Sequence, residues 1–348
     1  MRRAVPIVLR LAALAFAAPA RAGDAFVDPL DAASSSSTLS ARRLLNAAVF
    51  AGGRIVAAGQ RGHVVFSDDK GKTWTQAEVP VSSDLTALSF PSSQRGWAVG
   101  HDGVVLATTD GGRSWTRQLD GRGIEKLLEA AAGANGLPGA VREQLTFLAR
   151  NGSDQPLLDV WFDDERNGTA VGAFNLILRT VDGGATWTPW LDRTDNPKAL
   201  HLYSVRRVAG ALWIAGEQGL VLRLDPATGR FLRRPTPYAG SFFGVAGSDR
   251  AVLVFGLRGH VLRSRDQGTT WQAVDTGLEV ALTGGARAPD GRLLLVSASG
   301  QVLLSRNDGE SFSALAGVRP LPTSAVASDG STLALTGVLG ARVETLPR

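Results

Sequence analysis

A motif that returns at a fixed interval leaves a chain few folds to choose from, because every copy must meet the same packing problem in the same way. Here the motif is Thr108-Thr109-Asp110-Gly111-Gly112-Arg113-Ser114-Trp115, with near copies at residues 67–74, 180–187 and 264–271 and a weakened one at 305–312 that ends in Phe312. Its pattern is Ser/Thr-x-Asp-x-Gly-x-Thr/Ser-Trp. The Asp carboxylate can accept from N–H groups of its own turn, the Gly permits a positive φ, and the aromatic ring can bury a large apolar area. Trp74 and Trp115 are 41 residues apart, Trp187 and a degenerate Phe231 44, Phe231 and Trp271 40, and Trp271 and Phe312 41. The step from Trp115 to Trp187 is 72, one repeat plus an insertion of 31.

Each repeat reads as four strands. In the second copy an apolar strand (85–90) is followed by a Gly-led one (96–100), by a third (104–108) that runs into the motif, and by a fourth beginning at Ser114-Trp115. Four strands every 40 residues or so predict an all-β fold, a β-propeller. About 295 residues remain without the leader and the insertion, and a period near 42 divides them into seven blades. The propeller is expected over residues 44–346, and its last unit, from Thr323, has room for three strands only.

Met1-Arg2-Arg3, an apolar run to Ala18 and the small residues Ala20 and Ala22 read as a secretory signal over residues 1–22, so the expected address is the periplasm. The overall charge of +5 is then misleading. Of 37 Lys and Arg, four (Arg2, Arg3, Arg10 and Arg21) lie in the leader, which leaves 33 against 32 acids. A chain so nearly neutral lacks the basic surplus that nucleic acid requires. With no Cys there is no disulfide, no thiolate metal site, no Cys nucleophile and no thiol for a lipid. No other segment could span a membrane. Residues 23–43 form an N-terminal segment whose strand-like Ala25-Phe26-Val27 is expected to complete the last blade and close the ring.

After the second strand of a repeat a Gly is followed by a variable pair: Gln60-Arg61, His101-Asp102, Ala173-Phe174 with Asn175 beyond, Glu217-Gln218 and Leu257-Arg258. A constant frame with varying chemistry is how a scaffold presents a surface. In an up-and-down blade these turns share a face with the links between blades, and the insertion, residues 121–156, is one of those links. Residues 124–132 and 141–150 space their apolar side chains helically around Pro138, which predicts a helical hairpin that either caps the channel or docks a partner. Arg61, His101, Asn175, Glu217 and Arg258 are the candidate partner-binding residues.

Catalytic readings are weaker. Asp69, Asp110, Asp182 and Asp266 are a period apart, so they cannot converge on one ion or one bond. The motif resembles the Asp-box (BNR) repeats of sialidases, which would imply a glycan-binding or glycan-cleaving propeller as the alternative, with Asp163, Asp164 or Glu165 as carboxylates. The only tyrosines are Tyr203 and Tyr238, and no Arg-Ile-Pro motif is present. The four histidines do not cluster, and no phosphate loop or metal spacing is present, so no enzyme activity, metal or cofactor is expected.

The combination of Gly-x-Ala-Val-Gly with Leu-x-Thr-x-Asp-Gly-Gly-x-Thr-Trp, as at residues 96–115 and 168–187, resembles the photosystem II stability and assembly factor family. The resemblance runs from about Leu44 to Val343. It implies a non-enzymatic factor that helps assemble a membrane complex, with an arginine-rich face implicated. A periplasmic proteobacterial relative would serve a photosystem-like or exporter complex, as a monomer that does not itself span the membrane.

Overall fold

The computed structural model describes residues 26–151 and 154–347. The expected leader, and Ala25 of the expected closing strand, lie outside them. Among the described residues six four-stranded sheets and one three-stranded sheet follow one another, each antiparallel with its strands in chain order. Blade 2 is typical, with Leu85–Ser89, Gly96–Gly100, Val105–Thr108 and Thr116–Leu119. The first strand of each blade packs on that of the next, and Leu45–Ala51 of blade 1 packs on Ala325–Ser328 of blade 7, so the ring is a seven-bladed β-propeller.

Neighbouring blades explain why the middle strands are apolar on both sides. Trp97 and Val99 share a core with blade 3, where Trp97 stacks on Phe162 with 3.5 Å between ring centres. Ala98 and Leu106 turn the other way and pack with Val56 and Ala58 of blade 1. Alternate side chains thus enter different cores, and the second strands are buried on both faces.

The repeated turns are hydrogen-bonded staples. Thr108 Oγ1 donates to Asp110 Oδ1 (2.8 Å) and accepts from the Gly112 N–H (3.0 Å). Asp110 accepts in turn from the N–H groups of Arg113 and Ser114 and from the Ser114 hydroxyl (2.6 Å). Gly112 needs its φ of 87° to close this turn. In the copy at Asp182, the Thr186 hydroxyl and N–H, with the Thr180 hydroxyl, hold the carboxyl at about 2. Arginines brace one blade's staple from its neighbour: Arg54 reaches the Gly111 carbonyl (3.0 Å) and Arg263 the Asp308 carbonyl (2.9 Å).

Closure departs from expectation. Among the described residues blade 7 has the strands Ala325–Ser328, Thr332–Gly337 and Gly340–Thr345 and no fourth. Phe26 is 88% exposed and outside any strand. The cause lies two turns along the chain. Leu30 is buried in the core of blades 1 and 2 beside Trp115, its carbonyl takes the Arg117 guanidinium (2.6 Å), and Asp28 and Asp31 both bind Arg122 (2.8 Å). Residues 28–43 then cross blade 1 as a strap: Ser34 N–H donates to the Val79 carbonyl (3.0 Å), and the turn Ser40–Arg42 packs on Gly340–Thr345. The joint closes by packing, with Trp74 in the same clusters as Val343 and Ala341, instead of by strand exchange.

Candidate functional site: the face carrying the helical hairpin

In a sequentially ordered antiparallel blade, the first-to-second and third-to-fourth turns lie at one end, and the second-to-third turns and inter-blade links at the other. The staples occupy the first end. The hairpin, with α1 at Gly121–Ala132 and α2 at Gly139–Asn151, occupies the second. Asp120 caps α1 by accepting from the Gly123 N–H (3.0 Å), and Ile124, Leu128, Leu145 and Leu148 form the buried stripe that seats the pair on blades 2 and 3.

The variable turns on this face share one backbone. Arg61, Asp102, Phe174, Gln218 and Arg258 all take the left-handed region, with φ between 50° and 56°. The Gly before each turn is required by close approach, since a Cβ on Gly172 would stand 2.2 Å from the Pro156 carbonyl oxygen. Arg61, His101 and Arg258 are exposed. The Arg61 N–H donates to Asp84 Oδ1 (2.7 Å) and the His101 N–H to the Asp84 carbonyl (2.8 Å), so one residue ties two turns together. Arg258 lies apart on blade 5, in the turn where Tyr238 stacks on His260.

Asn175 is corrected. It is 1% exposed, and its side chain bonds Thr194 (2.9 Å) and Asn196 (3.0 Å), so it is an internal strut. It occupies the place held by Gly62, Gly103, Gly219 and Gly259 in the other turns and shares their positive φ. That alignment was readable from the chain.

The residue that fills the exposed place in that turn is Phe174, and it begins a row of rings. Phe147 of α2 meets Phe174 edge to face at 6.2 Å between ring centres, Phe174 meets His201 at 4.5 Å, His201 lies 6.2 Å from Tyr203, and Tyr203 meets Phe243 at 5.5 Å. The row runs from the hairpin to the channel wall. Bulges in the first strands aim Tyr203 and Phe243 inward, at the level where Asn46, Thr86 and Thr283 stand in other blades. Gln144 of α2 donates to the Phe174 carbonyl (3.1 Å), and the Phe174 N–H donates to His201 Nδ1 (2.8 Å). Glu217 Oε2 accepts from the His201 N–H (2.8 Å), which brings one sequence candidate into the row. Burial, reinforced by the Glu217 charge, pushes the Tyr203 phenol up, so it stays a donor.

Apart from Phe26, Val27 and Leu39 of the N-terminal segment, the exposed large apolar side chains follow the same division. Phe147, Phe174, Leu257, Val280, Val338 and Leu339 are on the hairpin face, and Val181 is on the stapled one. The stapled face has the larger cavity, about 690 Å³ at the channel mouth. Its charged lining is occupied internally, with Arg207 on Asp163, Arg287 on Asp249 and Arg206 on Asp159. Two of the three carboxylates considered for glycoside chemistry are engaged too, and Glu165 is exposed: Asp163 also accepts from Trp161 Nε1 (2.8 Å), and Asp164 ties its own turn through the Arg166 and Asn167 N–H groups. Among the described residues no group of three or more metal-ligating side chains is assembled, and no helix is long and apolar enough to cross a membrane.

By fold and site the molecule is a seven-bladed β-propeller with one face elaborated by a helical hairpin and an aromatic row. It belongs to the family described as photosynthesis system II assembly factor YCF48, whose model matches residues 66–127 and 148–314. Residues 128–147, the distal part of the hairpin, fall between the two matched stretches. The photosystem II assembly lipoprotein Ycf48 of Synechococcus sp. (strain CC9902) is 29% identical over 157 residues, which span 44% of this chain and 47% of that one. The chloroplastic photosystem II stability/assembly factor HCF136 of Guillardia theta is 38% identical over 52 residues, 14% and 13% of the two chains. The alignments therefore span at most about half of these curated relatives. YCF48 from Cyanidioschyzon merolae superposes with a TM-score of 0.64 at 16% identity, covering 88% of this chain and 97% of that one. A structure described as YCF48 bound to D1 peptide gives 0.63 at 15%, covering 88% and 95%.

Proposed function

We propose that this chain is an exported, non-catalytic assembly factor that holds a segment of a membrane-protein subunit on its hairpin face, as a periplasmic monomer. The observation that carries the reading is the row of rings on that one face, continuous from α2 to the channel wall, with further exposed aliphatic side chains on the same face. A propeller has no fold-level need to expose Phe147 (52%) and Phe174 (37%), and an apolar patch of this kind is the usual mark of a binding surface. The family supplies the class of client, a subunit of a membrane complex, and the relative bound to D1 peptide shows a propeller of this fold holding a peptide. The photosystem-like or exporter identity of the complex is part of the proposal. The test is co-purification from a detergent extract with wild type and with Phe147→Ser/Phe174→Ser. The wild type is expected to retain a membrane subunit that the double variant loses; equal recovery by both would remove the reading.

A further inference from the structure

Glu217 is the one acidic member of the aromatic row, and its surroundings are unusual for this molecule. Its side chain is only 27% exposed. Oε2 has the His201 N–H, but Oε1 has nothing closer than the Tyr203 hydroxyl at 3.5 Å. His201 does not reach it from the side chain: its Nδ1 faces the Phe174 N–H, and its Nε2 stands 4.0 Å from Oε2, beyond hydrogen-bond range. Three other enclosed carboxylates meet an arginine, Asp159 on Arg206, Asp163 on Arg207 and Asp308 on Arg250, and the staple carboxylates such as Asp110 have several N–H and hydroxyl donors instead. Among the described residues no Lys or Arg pairs with Glu217.

A carboxylate drawn this far from water without a counter-cation is costly, and a cation brought from outside relieves that cost. The neighbouring rings favour the same visitor, since aromatic faces attract ammonium and guanidinium groups. Phe174 is held in its left-handed conformation with both its N–H and its carbonyl bonded, so the ring beside Glu217 is fixed before anything binds. Phe147 on one side and Phe243 on the other extend the apolar surface in both directions along the row.

We propose that Glu217 and the rings of Phe174, His201 and Tyr203 form a site for a lysine or arginine side chain carried by an extended apolar segment of the partner. The inference rests on the client-binding reading above. The experiment selects a random peptide library against the full chain and measures affinities of the enriched peptides by calorimetry. Enriched peptides are expected to carry Arg or Lys flanked by apolar residues. Replacing that Arg by citrulline, which keeps the shape and removes the charge, should weaken binding about tenfold, in the range of a charge-assisted contact. Glu217→Gln should abolish this discrimination while leaving the citrulline peptide unaffected. Binders that are lost in Phe174→Ser but have no basic residue, or that tolerate citrulline, would overturn the cation site and leave the face reading intact. Binders indifferent to Phe147→Ser and Phe174→Ser would overturn both. The citrulline comparison needs no protein variant, so it decides the matter even if Glu217→Gln folds poorly.

Discussion

The two ends of the ring are built from the same repeat and have been put to opposite uses. At the stapled end the chemistry is copied from blade to blade, and every staple bond joins residues two to four apart, as from Asp110 to Arg113 and Ser114. At the hairpin end the backbone is copied, with the same left-handed residue in five turns, while the side chains range from Arg61 to Phe174. Where side chains repeat, the fold demands them; where only the frame repeats, the surface is open to another demand. Mutations should separate the two ends, the stapled end answering in stability and the hairpin end in binding.

The largest effect should come from the stapled end. Trp115 is buried against blade 1 and edge to face with Phe90, so Trp115→Ala should lower unfolding free energy by roughly 3–5 kcal/mol in denaturant titration. Capture of a client by the folded fraction should be unchanged. Leu30→Ala should come next, at about 2–3 kcal/mol, because Leu30 is the buried anchor of the strap. Phe26→Ala, at an exposed site, should stay within about 0.5 kcal/mol. A reversed order would restore the closing-strand idea.

Acid should act on the stapled end specifically. Asp69, Asp182 and Asp266 are held at about 2 against an ordinary 3.8, chiefly by the hydroxyl and N–H of the Thr that follows. A depressed carboxyl pKa favours the folded state above the unfolded pKa, and that contribution is lost as pH falls through the folded one. Melting temperature should therefore drop between about pH 4 and 2, and Asp182→Asn should flatten part of the slope. An equal slope in wild type and variant would show that the staples do not carry it. At the hairpin end, Phe147→Ser/Phe174→Ser should shift unfolding by no more than about 1 kcal/mol, the sum of two exposed-site bounds, while removing client capture.

The repeat, the number of blades, the three-stranded last unit and the helical hairpin were all legible in the chain, because each depends on residues close in sequence. A staple closes within four residues, and a helix or strand shows its period in a dozen. Glu217 was legible as a variable position in a constant frame, and the burial of Asn175, which lies just beyond its variable pair at the place of the usual Gly, was not. The aromatic row was not legible: Phe147, Phe174 and His201 are 27 residues apart at each step, and nothing local says that they meet. The strap was hidden further, since Arg122 reaches back more than 90 residues to Asp28 and Asp31. Local hydrogen bonds and periodicity are properties of short segments, so the sequence by itself determined the blades. Which link lies over which turn, which ring faces which carboxylate and how the last blade meets the first depend on distant segments packing together, and only the tertiary structure decided them.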